Sequence, residues 1–109
     1  MITIEQLKDV KERTAALERY LDIEGKMVQV EEEQLRTQAP GFWDDAKKAE
    51  AQMKKVKELQ KWIEGYKEVK TLADELELSF DFYKDELVTE EEVDAAFAKA
   101  MEAVEALEL

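Results

Sequence analysis

The chain of 109 residues contains no cysteine and no histidine, and it has only one proline and three glycines. Without cysteine there are no disulfides and no thiolate metal sites. Without histidine the commonest general base and metal ligand are missing. No apolar run approaches the ~18 residues of a membrane span, and no basic-then-apolar leader opens the chain. We therefore predict a cytoplasmic protein that is not an enzyme, with no catalytic, cofactor-binding or metal-binding residues.

Acidic residues outnumber basic ones by 28 to 16, which gives a net charge of −12. The excess lies in the second half, since residues 61–109 carry a net charge of −10 and residues 1–60 only −2. An acidic surface repels phosphate backbones, so we expect no direct binding of nucleic acid over most of the chain. The segment Lys47–Lys70 differs, with eight lysines and four glutamates. We interpret it as a solvated helix face, with an acidic partner as the alternative.

Apolar residues recur at helical spacing in four segments. Thr3 with Gln6, and Thr89 with Glu92, have the spacing of capping boxes that begin the first and last of these helices. Asp22 is a candidate N-cap for the second helix, after a break at Leu21. The predicted core positions are Ile4, Leu7, Val10, Leu17 and Leu21; Ile23, Met27, Val30 and Leu35; Ala49, Met53, Val56, Leu59, Ile63, Tyr66, Val69, Leu72, Ala73 and Leu76; and Val93, Phe97, Ala100, Met101, Val104 and Leu107.

The segment Ala39-Pro40-Gly41-Phe42-Trp43-Asp44-Asp45 predicts a sharp turn between the second and third helices. Proline disfavours helical geometry in the residue before it, glycine tolerates the angles of a turn, and Asp44 or Asp45 can cap the next helix. From there no strong stop signal occurs before Leu87, so we predict a third helix of about 43 residues and roughly 64 Å. Trp43 and Trp62 are predicted to be anchors of the core.

These patterns predict an all-α fold, an elongated antiparallel helical bundle of coiled-coil type with three to four helices and a long third one. We expect one domain over residues 1–109. Phe80, Phe82 and Tyr83 cannot share one helical face, so one of them is a candidate partner contact. The acidic runs at 31–33 and 90–92 favour solvated helix faces over a cation site. The last turn ends on acidic residues without a glycine cap, and this predicts that the chain is a fragment of a longer protein.

Two turn motifs in this order give the chain a resemblance to a known family. Three segments follow one another along the chain: Arg19-Tyr20-Leu21-Asp22-Ile23-Glu24, then Glu31-Glu32-Glu33, then Ala39-Pro40-Gly41-Phe42-Trp43-Asp44-Asp45, which opens a long helix. Together they resemble the N-terminal region of bacterial class 1 peptide chain release factors. The type most similar is release factor 2, which recognises UAA and UGA stop codons. The resemblance spans essentially the whole chain.

The resemblance implies a helical interaction domain that acts in translation termination on the ribosome, near the base of the large-subunit stalk. It also implies a contact with the class 2 release factor, a GTPase. In such factors a Ser-Pro-Phe type tripeptide chooses the stop codon and a Gly-Gly-Gln loop triggers peptide release. This chain contains neither motif, so we expect that it neither reads codons nor triggers release, and no catalytic residue is carried over.

Two other hypotheses remain from the residues themselves. The long apolar stripes also fit a free-standing acidic helical adaptor or coiled-coil oligomerisation module. The lysines of the third helix would fit a nucleic-acid-binding helical arm similar to the tRNA-gripping hairpin of a seryl-tRNA synthetase.

Overall fold

The first two helices begin where side-chain oxygens accept hydrogen bonds from free backbone N–H groups. In the computed structural model, which describes all 109 residues, Thr3 Oγ1 accepts from the N–H of Gln6 at 3.2 Å and Gln6 Oε1 accepts from the N–H of Thr3 at 2.8 Å. Helix α1 follows over Ile4–Tyr20. Asp22 then caps α2, Ile23–Arg36, by accepting from the N–H three residues further on at 3.2 Å. The two predicted starts and the break between these helices are confirmed.

The turn after α2 contains a short 3₁₀ helix, Phe42–Asp44, and leads into α3, Ala46–Lys84. Gly41 has φ +83°, in the left-handed region that glycine adopts readily. Asp45 Oδ1 accepts from the N–H of Lys48 at 3.2 Å, so Asp45 is the cap. Helix α3 has 39 residues, and at 1.5 Å each it is about 58 Å long. It is helical through the aromatic residues 80–83 and ends earlier than predicted.

Helix α3 ends in a pair of backbone hydrogen bonds typical of a Schellman motif. The N–H of Leu87 donates to the carbonyl of Phe82 at 3.0 Å, and the N–H of Glu86 donates to the carbonyl of Tyr83 at 3.0 Å. Glu86 adopts φ +60°, where glycine is usual. The sequence carried no glycine here, so this stop could not be found from residue preference.

Helix α4, Glu90–Glu108, begins at Thr89, whose Oγ1 accepts from the N–H three residues further on at 3.1 Å. This third predicted cap is also confirmed. The all-α prediction is confirmed as well, because the chain forms four α-helices and no strand, and the third is by far the longest.

The chain divides into two compact units, and α3 contributes to both. Unit 1, residues 1–20 and 65–109, contains α1, the second part of α3 and α4. Lys11 of α1 pairs with Glu77 of α3, and Tyr66 of α3 donates to Glu18 of α1, so α1 and α3 are antiparallel. The buried apolar residues of this unit are Leu7, Val10, Leu17, Tyr66, Val69, Ala73, Leu76, Val93, Ala100 and Val104.

Helices α1 and α4 of unit 1 run in the same direction. The N-terminal amine of Met1 lies 3.0 Å from Asp94 Oδ2 at the start of α4, while Arg13 contacts Glu108 at its end. Thr14 is the one buried polar residue, and its hydroxyl donates to the carbonyl of Val10 in the same helix at 2.8 Å. Its burial therefore leaves no polar group unsatisfied.

Unit 2, residues 21–64, contains α2 and the first part of α3, a hairpin of two helices. Its core cluster is small and comprises Val30, Val56 and Ile63, with Leu59 packed against it. The prediction that Met27 and Leu35 belong to the core is wrong, since they are 47% and 62% exposed. Two helices cover only one side of each other, so apolar residues away from that contact stay in solvent. Ile4, in unit 1, is also exposed, contrary to the prediction.

Candidate interaction surfaces

The proline-containing turn of unit 2 presents an aromatic pair, an exposed Trp43 and a half-buried Phe42. Trp43 is 61% exposed, and its ring lies edge-on against Phe42, with ring centroids 4.8 Å apart and planes at 84°. Its indole Nε1–H donates to the carbonyl of Thr37 at 3.0 Å. The prediction that Trp43 anchors the core is therefore wrong. The indole is fixed by a hydrogen bond while most of its surface stays in solvent, an arrangement suited to contact with another molecule.

Basic side chains lie beside this aromatic pair. Arg36 at the end of α2 and Lys48 at the start of α3 line a cavity of about 420 Å³ together with Phe42 and Asp45. Both basic side chains are exposed. The cavity is lined by both basic and acidic side chains, so cationic groups lie next to the apolar surface of the aromatic pair.

The lysines of the first part of α3 are exposed, as predicted for a solvated helix face. Lys54 is the one that forms an ion pair, with Glu50 at 3.5 Å. A surface pair of this kind contributes little to stability. The lysines therefore leave a basic helix surface on unit 2, and an acidic partner remains a prediction. Trp62, the second predicted anchor, is half-buried.

The aromatic residues near the end of α3 are divided between solvent and neighbouring groups. Phe82 is 38% exposed, which confirms that one of the three is at the surface. Tyr83 donates from its hydroxyl to Glu90 Oε1 at 3.0 Å, and this hydrogen bond raises the pKa of the tyrosine. The ammonium of Lys84 lies 5.3 Å from the ring centroid of Phe80. Two of the three aromatic residues thus have partners inside the chain, and Phe82 is the most available for an external contact.

An open groove lies between α3 and α4 in unit 1. It comprises two adjoining cavities of about 480 and 230 Å³, both lined by Leu72 and Lys99. At one end Gly65 comes so close to α4 that an added Cβ would lie 3.1 Å from Leu107 Cδ1. We call this the α3/α4 groove. We did not predict it from the sequence, although a signal for it was present in small residues spaced along one side of the last helix: Ala95, Ala96, Ala103 and Ala106.

Arg13 and Tyr66 form two of the polar contacts between α1 and the rest of unit 1. The guanidinium of Arg13 donates from Nε to Glu108 Oε2 at 3.0 Å and from Nη2 to Oε1, which lowers the pKa of Glu108. The hydroxyl of Tyr66 donates to Glu18, and burial together with this bond raises the pKa of Tyr66 to about 12. Both contacts hold a carboxylate against a hydrogen-bond donor of another helix.

The carboxylate runs lie on helix surfaces. Glu31 and Glu32 are exposed, while Glu33 turns partly inward with Oε1 3.5 Å from Arg36 Nη1. The run at 90–92 occupies the first turn of α4, where negative charge interacts favourably with the positive end of the helix dipole and stabilises the helix. The structure brings no three acidic side chains together in a way that could hold a metal ion.

No family model matches the chain, and no solved structure matches it. None of its helices has both the length and the apolar character required to cross a membrane.

Proposed function

We propose that this chain is the N-terminal helical domain of a bacterial class 1 peptide chain release factor of the release factor 2 type. In this role it is a cytoplasmic interaction module for translation termination at UAA and UGA codons. The observation that carries the proposal is the order and spacing of its two turn motifs, at residues 19–24 and 39–45.

The exposure of the aromatic residues in these motifs supports an interaction role. Tyr20 is 88% exposed and Trp43 is 61% exposed, so the packing of the helices requires neither ring. Aromatic side chains at the surface are frequent sources of binding energy in protein interfaces. Each of the two motifs of the resemblance thus presents an exposed aromatic side chain, although Ile23 of the first motif belongs to the core.

The expected partners are the ribosome, near the base of the large-subunit stalk, and the class 2 release factor GTPase. An acidic surface on unit 1 suits protein partners better than RNA, because RNA binding depends on cationic groups. Under this proposal the chain performs no chemistry. Codon reading and peptide release belong to segments that carry the Ser-Pro-Phe type and Gly-Gly-Gln motifs.

A chimera tests the proposal directly. The chain is fused to the codon-reading and catalytic domains of a release factor 2 in place of that factor's own N-terminal domain. We expect the class 2 GTPase to release the chimera from terminated ribosomes faster than it releases the factor without an N-terminal domain. The rate is followed by the loss of a labelled chimera from the ribosome.

The variant Trp43→Ala identifies the surface used. Loss of a central interface aromatic costs roughly 2 kcal/mol, so we expect release to slow by about 30-fold. Leu78→Ala is the matched control, because it removes another exposed apolar side chain from the same protein. A chimera that behaves like the truncated factor would contradict the proposal.

A free-standing coiled-coil oligomer is the second candidate function, favoured by the long α3 and by the exposed apolar residues of α2. Light scattering at several concentrations separates the two candidates. A monomer at all concentrations supports the domain proposal, and a stable dimer or larger assembly supports the oligomer.

A further inference from the structure

The α3/α4 groove of unit 1 is long enough to receive a helix. It runs along α4 from Glu92 to Leu107, and its two cavities join at Leu72 and Lys99. Fifteen steps of 1.5 Å give a length of about 22 Å, or about four helical turns. The groove is long and open to solvent, so its shape suits a helix that lies along it better than a small molecule that needs an enclosed cavity.

The floor of the groove is apolar and made mainly of small side chains. Val69 and Leu72 come from α3, and the side of α4 contributes alanines at four positions. Small residues on a helix surface let a neighbouring helix approach closely. Unit 1 has three helices, and an additional helix in this groove would complete a four-helix arrangement.

The rim of the groove is acidic and unpaired. Its charged residues are Glu68, Glu75, Glu92 and Glu102, with Lys99 as the one basic group. None of these four carboxylates forms an ion pair with a lysine, an arginine or the N-terminus, although eight other acidic residues do. Four unpaired negative charges beside an apolar floor favour a partner that carries positive charge on both sides of an apolar stripe.

We propose that the α3/α4 groove binds a basic amphipathic helix of about four turns from another protein. The apolar face of that helix covers the alanine floor, and its lysines or arginines meet the four glutamates of the rim. This inference depends on the geometry of unit 1 alone. It stands or falls independently of the release factor proposal.

Two other occupants fit the groove less well than a basic amphipathic helix. A nucleic acid would bring its phosphates against the glutamates. A second copy of this chain offers a basic helix surface at residues 47–61, but the exposed positions between its lysines are Glu50, Ala51 and Glu58. That surface has no large apolar side chains to fill the floor of the groove.

The test measures binding of a designed peptide to the full chain by fluorescence anisotropy. The probe is a labelled peptide of about 16 residues with leucines three and four positions apart and lysines at the flanking positions. A scrambled peptide of the same composition is the control for charge alone. We expect saturable binding of one peptide per chain, in the micromolar range, and at least tenfold weaker binding of the scrambled peptide.

Two double variants with the same change in net charge locate the site. Glu68→Lys with Glu102→Lys reverses two of the four rim charges, and Glu91→Lys with Glu105→Lys reverses two exposed charges outside the groove. We expect the rim variant to weaken binding by tenfold or more and the control variant by less than about threefold. Circular dichroism checks that both variants keep the helical content of the parent chain.

A matched pair of variants, each with one alanine replaced by tryptophan, tests whether the peptide occupies the floor of the groove. Ala106→Trp places a large side chain in the groove, and Ala98→Trp places the same side chain on an exposed position of α4 that does not line it. We expect only the first to abolish peptide binding.

Three results would each overturn the proposal. The first is equal binding of the designed and scrambled peptides, or no saturable binding. The second is an equal loss of affinity in the two double charge variants. The third is a dimer of the chain, seen by sedimentation, that only the rim variant dissociates, because the occupant would then be a second copy.

Discussion

Leu76 is the most sensitive test of the packing described for unit 1. It lies in α3 and is 0% exposed, whereas Leu78, two residues further along the same helix, is 51% exposed. Both can be changed to alanine with the same change in helix propensity, so the difference between the two variants isolates the effect of burial. Truncation of a buried leucine removes apolar contacts and leaves a cavity, which costs about 2–5 kcal/mol. For Leu78→Ala we expect less than about 1 kcal/mol.

The assay is urea unfolding followed by far-ultraviolet circular dichroism. A domain of this size has a free energy of unfolding of about 5–15 kcal/mol, so Leu76→Ala removes a large part of it. With a slope of about 1–3 kcal/mol per molar urea, we expect the midpoint to fall by about 0.7 M or more. Equal midpoints for Leu76→Ala and Leu78→Ala would refute the packing of α3 in unit 1.

Three further predictions concern single side chains. Trp43→Ala should lower the free energy of unfolding by less than about 1 kcal/mol, because the ring is mostly exposed. Urea unfolding measures this loss, and a value above about 3 kcal/mol would show a buried indole. The pKa of Glu108 is lowered by Arg13, so the pair stabilises the fold above the unfolded pKa of 4.5 and this contribution is lost as the pH falls through the folded pKa. Acid titrations should therefore show a shallower loss of stability for Arg13→Gln than for the parent chain, and identical curves would count against the pair. The pKa of Tyr66 is raised to about 12 from 10.0, so its contribution is full below pH 10 and is lost as the pH rises towards 12. We expect a late step in the tyrosinate absorption near pH 12 that Tyr66→Phe removes, and persistence of this step in the variant would refute the assignment.

The beginnings of helices could be predicted from the sequence because a cap is a local interaction. Thr3, Asp22 and Thr89 each accept a hydrogen bond from an N–H three residues away, and the residue types at that spacing are enough to indicate it. The end of α3 lacked such a signal. It depends on a left-handed Glu86, a residue type that rarely adopts this conformation.

The exposure of apolar side chains could not be predicted with the same success. Periodicity shows which side of a helix is apolar, but it does not show whether another helix covers that side. Met27 and Leu35 are exposed because α2 has a single neighbouring helix in unit 2. Trp43 lies in a turn, where periodicity gives no information about burial.

The candidate sites required the tertiary structure. Arg13 and Glu108 are 95 positions apart, and no sequence pattern pairs two charged residues at that separation. The α3/α4 groove likewise combines residues of two helices whose relative register the sequence does not specify. Only the alanines of α4, read together, indicated a surface without large side chains.

The turn after α3 has a consequence for protein engineering. A residue with a Cβ in the left-handed region costs roughly 1–2 kcal/mol, while the hydrogen bonds of Leu87 and Glu86 hold the turn in place. Glu86 forms no ion pair, and its replacement by glycine would relieve this strain. Asparagine would relieve part of it without the full flexibility of glycine in the unfolded chain. This solvent-facing corner is therefore a suitable first place to raise the melting temperature, because Glu86 lines neither the α3/α4 groove nor the cavity beside Phe42.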